Sequence, residues 1–168
     1  GGIYQMLSHG VNVVALFYVC DILVNRMHTD NMQKMGGIRN ISQIFSVLFL
    51  IIIFGSIAIP LTNGFVGEFL LLHGIFQYNT LMAIFSSFTV ILGTLYLMRA
   101  YHKIMHGETN TLTETFGAIT KNEKIILTGF VALILFFGIF PNIILQVSEP
   151  QVKQLIEHVH HALSIVKH

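Results

Sequence analysis

Between Ile41 and Gln77 the only Asp, Glu, Lys or Arg is Glu68, and this apolar run is interrupted once, at Pro60-Leu61-Thr62-Asn63-Gly64. A run of that polarity belongs in hydrocarbon, where roughly 20 mostly apolar helical residues cross a core about 30 Å thick. Proline removes an amide donor and clashes with the preceding turn, while glycine accepts almost any backbone shape. The interruption is therefore either a turn between two passes or a break inside one. The 13 residues from Phe65 to Gln77 are too few to span alone.

The rest of the chain has the same character. Of its 168 residues 54% are apolar and 10% charged, with a mean hydropathy of +0.72, whereas soluble domains carry about a quarter charged residues. That excludes an ordinary soluble enzyme, and it excludes a disordered or nucleic-acid-binding chain, which needs the missing charge. A single cysteine, Cys20, excludes an internal disulfide and any four-cysteine iron-sulfur or zinc site. If the chain serves redox chemistry, the electrons travel elsewhere. The chain enters an apolar run at Gly1 without an initiator Met or a basic signal-peptide region, and so reads as a fragment of something longer.

The expected fold is an all-α membrane protein of about four passes: 3–24, 41–77 broken at 60–64, 80–104 and 121–146, followed by an amphipathic tail over 147–168. Charge chooses between break and turn. With one broken pass, the loops at 25–40 and 99–124 share a side and hold Arg26, Lys34, Arg39, Arg99, Lys103, Lys121 and Lys124, leaving Lys153 and Lys167 on the other. With a full turn the split becomes five against four, which carries no orientation signal. One discontinuous helix is the better reading, and irregular backbone at membrane depth tends to mark an ion or substrate path. The two basic loops are then expected to face the cytoplasm and the tail the opposite compartment.

Ionisable groups inside a pass are functional candidates by default. Glu68 leads them, four residues after Gly64 and beside Gly67, as a carboxyl able to exchange protons near neutral pH; the plainer alternative is a carboxylate buried against a cation of another helix. His9 is second. It shares a helical face with Gln5, Ser8 and Asn12, a stripe that either lines a proton path or glues helices together. His73 sits well round the helix from Glu68 and reads as packing or interface, and His28, His102 and His106 read as surface. In the tail, Val152, Leu155, Ile156, Val159, Leu163 and Val166 share a face, with Lys153, Glu157, His158, His161 and Lys167 largely opposite. His158 and His161 lack a third ligand at zinc spacing, so no metal site is expected.

The strings QMLSHGVNVVALF (5–17), RMHTDNMQKMGGI (26–38) and above all IPLTNGFVGEF (59–69) resemble the antiporter-like, proton-translocating membrane subunits of respiratory NADH:quinone oxidoreductase, complex I, in particular the C-terminal part of the M-type chain (the mitochondrial subunit 4 type). The resemblance implies helices eleven to fourteen of a fourteen-helix subunit, with 41–77 as the broken twelfth. It places Glu68 on the family's acidic residue of the second half-channel and His9 on a histidine beside the central polar axis. It also implies a bacterial inner-membrane location, L-type and N-type antiporter-like chains as partners, no cofactor in this chain, and FMN, iron-sulfur clusters and quinone in partner subunits. The family's upstream glutamate and lysines lie outside this sequence. L-type and N-type chains typically carry lysine at the position of Glu68, which favours the M type. A cation/proton antiporter subunit, a group 4 hydrogenase subunit and a non-conducting structural spacer remain the alternatives.

Overall fold

The computed structural model describes residues 1–166, with side chains through residue 159, and among the described residues it contains helices and no strand. Helix α1 spans Gly2–Met27, α2 Ile38–Ile41, α3 Gln43–Ser56, α4 Asn63–Tyr78, α5 Thr80–Met105, α6 Thr111–Glu114, α7 Lys121–Ile139 and α8 Asn142–Val166, with a short 3₁₀ turn at Met32–Lys34. Three of them, α1, α5 and α7, are long and apolar enough to cross a membrane. The protein is an all-α membrane protein.

Helices α3 and α4 rise only about 21 Å and 24 Å at 1.5 Å per residue, each short of a 30 Å core. They follow one another along α1 instead of folding back. Reading down α1, Gln5 packs on Gly67, Ser8 bonds to Asn63 and Asn12 bonds to Gly55, so one antiparallel path runs from α4 through the interruption into α3. The loops agree. Thr113 Oγ1 donates to Gly36 O (2.7 Å), Asn110 Nδ2 to Lys34 O (2.8 Å) and the Gly37 amide to His106 O (3.0 Å), which joins the loop after α1 to the loop after α5 at one end of the bundle.

Non-helical backbone covers Ile57 to Thr62, not 60–64; Asn63 and Gly64 already belong to the first turn of α4. The reason is Pro60, which cannot donate to the carbonyl four residues back, so α3 stops at Ser56. Ala58 (φ 57°) and Leu61 (φ 77°) lie in the left-handed region, which costs a non-glycine residue about 1–2 kcal/mol. Pro141 acts in the same way on α7. It leaves the Phe137 carbonyl without an amide, ends that helix at Ile139, seven residues before the expected 146, and lets α8 begin at Asn142 instead of 147.

Two freed carbonyls are recovered by α1. The Ile59 amide bonds to Phe54 O, leaving Gly55 O to accept from Asn12 Nδ2 at 2.9 Å; Phe137 O accepts from Tyr4 Oη at 2.5 Å. Inside hydrocarbon an unmet backbone group costs several kcal/mol, so these side chains are part of the fold. At the basic end, Arg26 clasps α1 to α7 through Glu123 (2.6 Å), Phe116 O (2.7 Å) and Ala118 O (3.0 Å). Thr120 and Glu123 form a capping box at the start of α7.

His106, at the end of α5, is half-buried with its Nε2 3.1 Å from Arg39 Nη1. Burial, then His102 and Arg39, hold its imidazole below the usual histidine range. A histidine whose protonation is disfavoured by the fold contributes stability above its unfolded pKa and loses it as the pH falls. The protection factor of the Gly37 amide, which bonds to His106 O, should therefore drop between pH 7.5 and pH 5 (around the unperturbed value of about 6.5). Hydrogen exchange reads it directly, and a flat profile would exclude His106 as the cause.

On α8 the side chains of Leu155, Ile156, His158 and Val159 are exposed. The side chains of His160, His161, Leu163 and Val166, and Lys167 and His168 entirely, lie outside the described residues.

Candidate functional site: a cavity at the helix break

Gly67 lets α4 approach α1 closely, since a Cβ there would strike Gln5 Oε1 and stand 3.0 Å from Gln5 Cα. Gly64 is equally confined, because its Cβ would run into the Gly55 carbonyl. Gly67 thereby holds the polar face of α1 against α4, while Gly64 holds α4 against the end of α3. Between them lies a cavity of 170 Å³ lined by Gln5, His9, Asn12, Ser56 and Glu68, with Gly55 and Gly64 at the break and Val13, Leu16 and Leu97 as apolar wall. Its volume accommodates several waters at about 30 Å³ each.

Four buried side-chain polar atoms among the described residues lack a hydrogen-bond partner: Gln5 Oε1, Asn12 Oδ1, Glu68 Oε2 and His106 Nδ1. The first three belong to residues lining this one cavity. Buried polar atoms are normally satisfied, and a roomy polar site with several such atoms is where ordered water is expected.

The sequence candidates separate into two groups. Gln5, His9, Asn12, Gly64 and Glu68 meet at the cavity. Ser8 does not line it: its hydroxyl is buried and donates to Asn63 O at 3.3 Å, while Asn63 bonds the Gly64 amide (2.9 Å) and Ser8 O (3.4 Å). Pro60 shapes the break without touching the cavity. Asn12 does both jobs, since its amide nitrogen holds Gly55 O and its oxygen remains unpartnered. His73 is exposed, stacked on Phe69 and 3.1 Å from Gln77 Nε2, away from the cavity. Sequence reasoning missed Gly55, Ser56 and Tyr4. Only Tyr4 carried a signal, as a polar tip at helical spacing from Ser8.

An all-helical membrane chain in which three of the four unpartnered buried polar atoms among the described residues belong to residues lining one cavity at a broken helix, a carboxyl among them, has the build of an ion-carrying membrane protein. The family described as NADH:quinone oxidoreductase/Mrp antiporter, TM matches residues 1–94, and the chain belongs to that family. Similar proteins include NADH-quinone oxidoreductase subunit M of Rickettsia prowazekii, 40% identical over 157 residues covering 93% of this chain and 32% of that protein. Another is the subunit M of Rhodobacter capsulatus, 36% identical over 161 residues (95% and 31%). NADH-ubiquinone oxidoreductase chain 4 of Marchantia polymorpha is 32% identical over 160 residues (94% and 32%). The chain thus spans about a third of the length of these relatives.

Proposed function

We propose that this chain is part of the proton-translocating M-type subunit of an NADH:quinone oxidoreductase, and that protons pass through the cavity at the helix break while electron transfer takes place in other subunits. That Gln5, Asn12 and Glu68, each with an unpartnered buried side-chain oxygen, line one water-sized space carries the reading. Glu68 is the acid–base group: its carboxylate takes the excess proton of a protonated cavity water, which is left as neutral water, and returns that proton to another water. Gln5 and Asn12 offer oxygens that orient those waters, and His9 relays protons at the cavity's edge. The partners are L-type and N-type antiporter-like chains and the lipid bilayer. FMN, iron-sulfur clusters and quinone belong to partner subunits, and the redox reaction needs none of them here.

Proton yield per electron in sealed vesicles of the complete complex tests the reading. His9→Ala should lower that yield more than it lowers NADH oxidation with a peripheral acceptor. If both are unchanged, His9 is a packing residue.

The location we propose is a bacterial inner membrane, with the loops at 25–40 and 99–124 on the cytoplasmic side and α8 on the other. The seven-to-two distribution of basic residues and the hydrogen bonds joining these loops support it. In a Cys20→Ser background, cysteines introduced in both loops should react with an impermeant thiol reagent from the cytoplasmic side only. Reaction of the two loops from opposite sides would overturn the topology.

A further inference from the structure

We propose that a groove between α1 and α5 holds one acyl chain of an anionic phospholipid, whose phosphate rests on Lys34 and His28 at the end of the bundle that carries the basic loops. Where α1 and α5 both pack on α3, a gap of 330 Å³ remains. Its floor includes Phe49 and Ile53 of α3, both buried, and the small side chains of Cys20 on α1 and Ala100 on α5 leave it room. Apart from the Cys20 thiol and the Tyr96 hydroxyl its lining is apolar. From Val13 to Leu23 the groove follows α1 for about 15 Å at 1.5 Å per residue. Over that length 330 Å³ is a mean section of about 22 Å², little more than a quarter of the section of a helix about 10 Å across. One extended alkyl chain fits such a slot, and a transmembrane helix does not. Val13, Leu16 and Leu97 line both this groove and the 170 Å³ cavity, so the occupant backs the apolar wall of that cavity.

An apolar slot alone confers no preference for any lipid, because the surrounding bilayer is equally apolar. The headgroup supplies it. A second cavity, of 520 Å³, opens one turn further along: Leu23 lines the groove and Met27 this cavity, and Met32 and Lys34 of the 3₁₀ turn line one each. One helical turn is about 5.4 Å, a gap that a glycerol backbone bridges. Arg26, His28, Thr29, Lys34 and Thr115 surround the second cavity, and among the described residues no Asp or Glu lines it. Glu123 neutralises Arg26 at 2.6 Å, whereas Lys34 pairs with no carboxylate among the described residues. Thr29 Oγ1 accepts from the Asn31 amide (3.2 Å) and keeps its own proton for a phosphate oxygen. The carbonyl end of α1 opposes an anion with about half a charge, less than the full charge of Lys34. A basic pocket at a helix end, open to the headgroup layer, is the chemistry that selects anionic lipid.

The test uses the complete complex, washed free of its own lipid in detergent and reconstituted in phosphatidylcholine vesicles. The probe is a trace of phosphatidylglycerol with a diazirine midway along one acyl chain, and peptide mass spectrometry reads the labelled residues after illumination. Cys20, Leu97 and Ala100 should be labelled at least about fivefold more than Val14 and Leu95, which are exposed on the same two helices outside the groove. The same diazirine on phosphatidylcholine should label the groove about fivefold less, the effect of one cation near a membrane surface, and Lys34→Gln should erase that difference. Ala100→Phe fills the slot and should lower labelling of Cys20, while Leu95→Phe leaves it unchanged. Groove labelling no higher than that of Val14 and Leu95 would show the space taken by bulk lipid or another helix, and would overturn the site. Equal labelling by the two headgroups, or a difference that survives Lys34→Gln in an intact complex, would overturn it as well.

Discussion

Glu68→Gln should leave the complex assembled and nearly abolish its proton yield. Glutamine keeps the volume and polarity of the side chain at a position where Glu68 Oε2 has no hydrogen-bond partner, so the fold loses no contact. What it removes is a titratable proton. A positioned acid–base group contributes on the order of 100-fold or more to a transfer step, and a fall of roughly that size in proton release is expected. Glu68→Asp should retain part of the yield, because the carboxyl survives, although the shorter side chain draws it away from the 170 Å³ cavity toward its own helix. Proton yield per electron and subunit composition are measured on the same preparation. Normal pumping by the glutamine variant in an intact complex would show that protonation here is not required, and Glu68 would be part of the bundle's polar packing.

The features legible in the sequence are those written in one dimension. Proline and a lone carboxylate in an apolar run identify the break and Glu68 without reference to any neighbour. The basic residues of the two loops, hydrogen-bonded at one end of the bundle, pointed to one interrupted helix over two short ones. The division of labour within the stripe on α1 was not legible. Ser8 and Asn12 share a face with Gln5 and His9, yet Ser8 is spent on Asn63 and Asn12 partly on Gly55, because α1 packs closely on Gly67 of α4 and Gly55 of α3. Break limits were displaced for a local reason: Pro60 and Pro141 act on carbonyls four residues upstream, so each helix ends earlier than the proline that stops it.

The break is also held from its far side, and Gly138→Ala should expose how strongly. A Cβ at Gly138 would meet the Leu61 carbonyl oxygen and stand 2.5 Å from Thr62 C and 2.6 Å from Leu61 C. These are backbone atoms of the break itself and no rotamer change can relieve them. Overpacking of this kind costs about 1–3 kcal/mol, and here it pushes on Leu61, already held at φ 77°. Gly129 provides the comparison in the same helix, with nothing within 4 Å of its Cβ position, so Gly129→Ala should be neutral or stabilising by up to about 1 kcal/mol. Thermal denaturation of the purified complex should therefore move in opposite directions for the two variants, or fall only for Gly138→Ala. Proton yield should fall with Gly138→Ala alone, because Leu61 and Thr62 lead directly into Asn63 and Gly64, and the latter forms a wall of the cavity. Equal behaviour of the two alanines would mean that α7 does not clamp the break, and that α1 alone, through Asn12 and Ser8, sets the position of Glu68.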